Sequence, residues 1–253
     1  QGGLGGNRGR QLPRVPARAD GTTEHAPSVM MFGSSHCLHW AAVFERVAAK
    51  EGTAVAFCCT DSSPGKFTYA WTEALVMKAA RLASVKTIVW ADFWGWPGGG
   101  CTFCSHDFGK ELGLLTGIAD DKRVILFGDV PTLPWGATSV NNYMYQASKS
   151  FGSLNFLNTQ EEDPQIRKDR MQIEAELRRI AEVATWAGQV EFVEVASYYK
   201  KAMQVDGETE QYFQVVDPIT GRLTHKDRDH LNLDGALRLE SIIRRQVFSS
   251  GLC

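Results

Sequence analysis

Two short stretches at opposite ends of this chain carry residue types that perform acyl chemistry when brought together. Near the start, the apolar run Val29–Phe32 leads directly into Gly33-Ser34-Ser35-His36-Cys37, and helical spacing is under way by Trp40. A serine on such a strand-to-helix turn exposes its hydroxyl above the sheet, and the backbone N–H groups of the helix start face a developing oxyanion. Near the end stands His225-Lys226-Asp227-Arg228-Asp229-His230-Leu231-Asn232-Leu233-Asp234-Gly235-Ala236. On a tight turn, Asp227 reaches one nitrogen of His230, which fixes the tautomer and stabilises the imidazolium while the other nitrogen faces a serine. Alone, each stretch also reads as a capped helix start, with a serine capping the first and Asn232 or Asp234 the second. Together they suit one nucleophilic site.

Such a site needs a sheet beneath it. Five short apolar runs have the character of strands buried on both faces: Val29–Phe32, Ala54–Cys58, Thr87–Ala91, Arg123–Phe127 and Glu191–Val195. Segments with helical spacing lie between and after them, at Trp40–Glu51, Trp71–Ala83, Ile166–Ala187 and Ala236–Phe248. Strand and helix alternate, so the expected fold is a three-layer α/β/α sandwich on a five-stranded parallel sheet. Ligands of such sheets bind at the carboxyl ends of the strands, which directs attention to the loops after Phe32, Cys58, Ala91 and Phe127. Residues 1 to 26 are rich in Gly, Arg and Pro without apolar periodicity and are expected to form a flexible linker or tail, leaving residues 27 to 253 as one domain.

At 253 residues and 43% hydrophobic content the chain is long enough to bury a full core. Its 27 basic and 29 acidic side chains leave a formal charge of -2, which supplies no global field for nucleic acid or an anionic membrane. No stretch approaches the roughly 18 to 20 apolar residues of a membrane span, so this piece is expected to be soluble by itself. It opens on Gln1 and not on methionine, so sequence upstream is expected. The six cysteines, Cys37, Cys58, Cys59, Cys101, Cys104 and Cys253, suffice for one or two bridges in an oxidising compartment but not for a disulfide scaffold.

Other features call for no metal or cofactor. Cys101-Thr102-Phe103-Cys104 has no second Cys-x-x-Cys to complete a zinc site, and the Asp and His residues of 225–230 read as a solvated loop before they read as ligands. Trp94, Trp96, Trp135, Tyr143 and Tyr145 suit either sugar stacking or core filling. The charged segment Ile166–Ala187 reads as a crossover helix with a solvated face.

The two chemistry-bearing stretches resemble those of the SGNH/GDSL hydrolase superfamily, and more closely the SGNH domains fused behind membrane-bound acyltransferase-3 domains. Phe32-Gly33-Ser34-Ser35-His36 stands for the usual Gly-Asp-Ser-His, and Asp227-Arg228-Asp229-His230-Leu231-Asn232-Leu233-Asp234-Gly235-Ala236 for Asp-x-x-His-Leu-Ser-x-x-Gly-Ala. The strand ending at Trp94 and Val124-Ile125-Leu126-Phe127-Gly128-Asp129-Val130-Pro131 fit as well. The resemblance implies a flavodoxin-like fold with Ser35 as nucleophile, His230 as general base and then acid, and Asp227 as its orienting carboxylate. Ser34 departs from the family's Asp, and no Gly-x-Asn-Asp segment supplies the usual oxyanion asparagine. Gly33, Cys59, Asp92, Trp94 and Gly95, with the N–H of Ser35, are the candidates for oxyanion and substrate contacts; Asn141 and Asn142 stand further out.

That resemblance further implies serine-dependent O-acyl transfer, of an acetyl group, to or from a carbohydrate-type hydroxyl. The partners would be an acyl donor, that acceptor and an upstream membrane acyltransferase domain joined through the N-terminal linker, on the extracytoplasmic side of a membrane. A free-standing esterase acting on acetylated sugars or lipids, and a catalytically dead carbohydrate-binding domain, remain as alternatives.

Overall fold

The five apolar runs pair with one another as a single parallel sheet. The computed structural model describes residues 25–59, 76–94, 112–113, 115–117, 121–133, 162, 164–183, 188–205, 208–217, 219–227 and 229–249. Its strands are β1 (Pro27–Gly33), β2 (Ala54–Cys59), β3 (Thr87–Ala91), β4 (Arg123–Phe127) and β5 (Val190–Val193), in the order β2-β1-β3-β4-β5. This order reverses direction beside β1, and a reversal of that kind opens a crevice at the carboxyl ends of the strands.

Alternate residues of each strand serve different cores, as the two-residue period of a strand requires. Val29 and Met31, Val89, Ile125 and Phe127 face one cluster, which is completed by Trp40, Val43, Phe44 and Val47 of helix α1 (Ser35–Lys50) and by the C-terminal helical segments. Met30, Phe32, Ile88, Trp90, Val124 and Leu126 face the other, closed by the helical residues 76–80 and by helix α2 (Pro164–Ala181). The result is the expected three-layer sandwich.

Several elements differ from expectation. Helix α1 begins at Ser35 and not near Trp40, because the Ser34 hydroxyl accepts the His36 N–H at 3.4 Å and caps it. The last helix is three pieces, α3 (Leu233–Leu237), α4 (Glu240–Ile243) and a π-turn (Arg244–Phe248), yet Ala236, Leu239, Ile242, Ile243 and Val247 all enter one core. A two-stranded antiparallel hairpin, β6 (Lys200–Val205) and β7 (Glu208–Phe213), follows the 3₁₀ turn Ala196–Tyr199. Its charged, polar composition contains no apolar run to betray it.

Helix α2 also departs from a wholly solvated charged face. Arg170 and Glu174 are buried, and Arg170 donates to Glu162 at 2.9 and 2.7 Å and to Glu174 at 2.6 Å. Charges this deep are tolerated because they are paired in a fork geometry. Glu162 also accepts the N–H of Thr132, tying α2 to the loop that leaves β4.

No helix among the described residues is long and apolar enough to cross a membrane. The expected tail over residues 1 to 26, save His25 and Ala26, lies outside the described residues. So do Gly95, Trp96, Cys101, Cys104, Trp135, Asn141, Asn142, Tyr143, Tyr145 and Cys253.

One backbone position decides whether β1 can end where it does. Gly33 has a φ of 145°, and a Cβ there would stand 1.7 Å from the carbonyl oxygen of Ala91. Gly33→Ala is therefore expected to cost about 3 kcal/mol or more through combined strain and overlap. Urea unfolding measures it, and a variant with unchanged midpoint would contradict this close approach.

Candidate active site

The site forms where the carboxyl end of β1 meets the loop ahead of α3. Ser34 caps α1, so Ser35 is the first helical residue and its side chain leaves the helix start. Two residues on, Cys37 is joined to Cys59 at the end of β2 by a disulfide, which clamps the first turn of α1 to the sheet. Opposite, the 225–231 loop closes on itself through an N–H of Lys226 donating to the carbonyl of His230 at 2.8 Å. Asn232 then caps α3 by accepting the Gly235 N–H at 2.9 Å, and Gly235 packs so closely on Thr224 that a Cβ would meet its carbonyl oxygen at 1.9 Å.

These anchors bring Ser35, His230 and Asp227 together. His230 Nε2 lies 2.9 Å from Ser35 Oγ, and His230 Nδ1 lies 2.9 Å from Asp227 Oδ1. Asp227 Oδ1 also accepts the N–H groups of His230 at 2.8 Å and Asp229 at 3.2 Å, so one carboxylate oxygen shapes the turn and meets the imidazole. Hydrogen bonding to Asp227 and then to Asp229 raises the pKa of His230 above the ordinary imidazole value. Burial works against ionisation of Asp227, but the bonds from His230 outweigh it and hold this carboxyl below its usual range.

A second group of polar side chains lies beneath. His36 is buried with Nδ1 2.7 Å from Asp129 Oδ1, and its Nε2 faces Asp229 Oδ2 at 4.0 Å. Asp129, just beyond β4, accepts the N–H of Trp94 at 3.1 Å through its other oxygen. The His39 ring stands 5.1 Å from that of His36 and 6.1 Å from that of His230, centroid to centroid, and burial lowers its pKa. Asp129, Asp229 and His36 all fall inside the stretches singled out from the sequence, but there they carried no role. An acid set directly after an apolar strand was the available signal for Asp129.

The remaining candidates are placed as follows. Gly33 serves the close approach of β1 to β3. Cys59 is committed to its disulfide, and Cys58 beside it is a free thiol that burial pushes up to about 11. Asp92 is buried, accepts the Phe93 N–H at 2.8 Å, and has its pKa raised to about 6 by burial against the pull of Ser34 and Phe93. Trp94 is core, not rim: its indole N–H donates to the Phe127 carbonyl at 2.9 Å and its backbone N–H to Asp129. Gly95 lies outside the described residues. The backbone N–H of Ser35 stands at the start of the 16-residue helix α1, where N–H groups and the helix dipole favour negative charge.

A metal fits this cluster poorly. His36, Asp229 and His230 offer ligand atoms within 4.8 Å of one another, but both nitrogens of His230 are already engaged. That leaves two uncommitted atoms where zinc takes four ligands. His225 is not part of this cluster, and its Nδ1 lies 2.8 Å from Thr224 Oγ1.

Comparison with known proteins agrees with this architecture. The family model described as SGNH domain (fused to AT3 domains) matches residues 7–245. Among solved structures, the periplasmic domain of a lipopolysaccharide acetyltransferase from Salmonella ser. Paratyphi A shares the fold at TM-score 0.63 and 11% identity, covering 90% of this chain and 85% of that one. A putative platelet activating factor from Streptococcus pneumonia aligns at TM-score 0.45 and 12% identity, over 91% of this chain and 87% of that one. No curated protein sequence matches.

Two titrations test this electrostatic picture. The NMR midpoint of His230 is expected above 6.5, so its stabilising contacts are complete below that pH and fade as pH rises through the higher value; a midpoint at or below 6.5 would contradict the paired carboxylates. Asp92 has the opposite effect on stability. Its ionisation costs nothing below pH 3.8, and the cost grows until pH passes about 6. Asp92→Asn should therefore stabilise the protein by roughly 3 kcal/mol at pH 8 and leave it unchanged at pH 3, and an equal effect at both would refute the assignment.

Proposed function

Because the chain belongs to the family of SGNH domains fused to AT3 domains, we propose that it transfers an O-acyl group, an acetyl, to or from a carbohydrate-type hydroxyl through an acyl-enzyme on Ser35. The carrying observation is the contact between Ser35 Oγ and His230 Nε2, 2.9 Å across 195 positions of sequence, with Asp227 on the far nitrogen. Groups so distant in the chain meet in this order only when the fold brings them together.

The chemistry runs in two halves. His230 Nε2 takes the Ser35 proton as Oγ bonds to the acyl carbonyl, and the negative oxygen that results faces the start of α1. Collapse breaks the bond to the leaving group, which departs with the proton from His230. An acceptor hydroxyl then gives its proton to His230 and attacks the acyl carbon, and collapse returns the proton to Ser35. Asp227 holds the ring and stabilises its charge in both halves. Water in place of the acceptor gives hydrolysis by the same steps.

Three lines support transfer to a carbohydrate over simple hydrolysis: fusion to AT3 domains across the family, the membrane-side location this implies, and a fold shared with the periplasmic domain of a lipopolysaccharide acetyltransferase. An extracytoplasmic location also suits the Cys37–Cys59 disulfide. Residues 1 to 26 would then link this domain to an upstream membrane domain.

Two measurements decide. A fluorophosphonate probe should label the wild-type protein and not Ser35→Ala, and the variant should lose at least about 10³-fold in turnover of an aryl acetate. Labelling that survives the substitution would remove Ser35 from the mechanism, whereas an unlabelled wild type would mark a dead, binding-only domain. Adding a sugar acceptor should divert acetate into an acetylated sugar; release of free acetate alone would leave the esterase reading.

A further inference from the structure

We propose that Asp229 is a second orienting carboxylate for His230, held in place by His36 and Asp129, so that the imidazole has two alternative partners. The inference rests on the reading of Ser35 and His230 as nucleophile and base. Its starting point is that His230 Nδ1 has two carboxylate oxygens within reach, Asp227 Oδ1 at 2.9 Å and Asp229 Oδ1 at 3.1 Å.

The two acids are differently employed. Asp227 Oδ1 is shared among three donors, the ring and two backbone N–H groups, so much of its capacity goes into holding the turn. Asp229 accepts no backbone N–H among the bonds of the described residues, and its second oxygen faces the buried Nε2 of His36 at 4.0 Å. That nitrogen has no other partner among the described residues. His36 itself is pinned through Nδ1 to Asp129, which also holds the Trp94 N–H at the exit of β3. A line therefore runs from the sheet, Asp129 to His36 to Asp229 to His230. Around His36 the remaining ionisable neighbours are His39, His230 and Asp92, and the Phe93 ring covers one face. In this setting Asp229 stands between two imidazoles, one oxygen 3.1 Å from His230 Nδ1 and the other 4.0 Å from His36 Nε2.

The consequence concerns redundancy. Where a single carboxylate orients the histidine, exchanging it for its amide costs about 10⁴ in rate, because the wrong tautomer is favoured. Here a small rotation of the ring brings the Nδ1–H onto Asp229.

The test uses Asp227→Asn, Asp229→Asn and the double variant, assayed on an aryl acetate. Asparagine at 227 keeps an oxygen for the two backbone N–H groups, so the turn survives. Each single variant is expected to lose about 10-fold or less and the double about 10³ to 10⁴-fold, far beyond the product of the singles. The acid limb of the rate profile should also move to lower pH in each single variant and further in the double, since each carboxylate lost makes the neutral ring easier to reach. A structural role alone would leave that limb in place. Loss of about 10⁴ in Asp227→Asn alone, or an unmoved limb in Asp229→Asn, overturns the proposal. If the double variant does not fold, the rate of Asp227→Asn alone decides between these outcomes. Fluorophosphonate labelling of the wild type separates the cases: labelling with one dominant carboxylate sinks only this inference, and no labelling sinks the reading beneath it.

Discussion

One hydrogen bond joins the hydroxyl at the start of α1 to the imidazole ahead of α3, and the described parts of the fold converge on keeping its two ends in register. Neither end is held by the bond itself, which is worth about 1 kcal/mol net. The serine end is set by the capped helix start, by the close crossing of Gly33 over Ala91 and by the clamp from Cys37 to Cys59. The histidine end is set by the turn on Asp227, by the cap at Asn232 and by the Tyr199 hydroxyl, which donates to the Gly235 carbonyl at 2.9 Å. Both ends rest on the same apolar layer, since Cys37, Trp40, Leu231 and Ala236 share one core. A shift of either anchor would be transmitted through close-packed side chains to the reacting atoms.

The polar groups under the site are buried at a cost met by pairing. Asp129 and His36 face each other, and Asp129 takes two backbone N–H groups besides, from Val130 and Trp94. Further out, Arg170 pairs with both Glu162 and Glu174, and Glu162 holds the Thr132 N–H of the loop after β4, the same loop that carries Asp129. Burial raises Glu174 to about 7 even beside Arg170, a measure of how dry this region is. Two charge clusters thus bear on one strand end, one from the site and one from α2, and the Asp129 charge of the first adds to the upward push on Glu174 of the second.

Much of this architecture was legible because its signals are local. Parallel strands buried on both faces must be apolar throughout, so Thr87–Ala91 and Arg123–Phe127 stand out as runs and match β3 and β4 to the residue. The spacing of Asp227 and His230 is a property of one turn and is equally visible. What escaped depends on distant neighbours. Nothing near His36 in the sequence announces Asp129, 93 positions away. Trp94 resembles a pocket aromatic until its indole N–H is seen on the Phe127 carbonyl. The hairpin of β6 and β7 has no buried-strand composition, and the charges of Arg170 and Glu174 read as solvated because their partner Glu162 precedes the helix.

Ser34 carries a consequence for how much charge the start of α1 can hold. Its hydroxyl accepts the N–H groups of His36 and Phe93 at 3.4 and 3.1 Å, and the carboxylate of Asp92 lies on the same Phe93 N–H. An aspartate at position 34, the family's usual residue, would accept the same two N–H groups but would bring a second buried negative charge against Asp92. Like charges so placed cannot both ionise without penalty. The two positions therefore form a coupled pair: with a carboxyl at 34 as well as at 92, one of the two would be held protonated in this buried setting, whereas the neutral Ser34 hydroxyl leaves a single acid there.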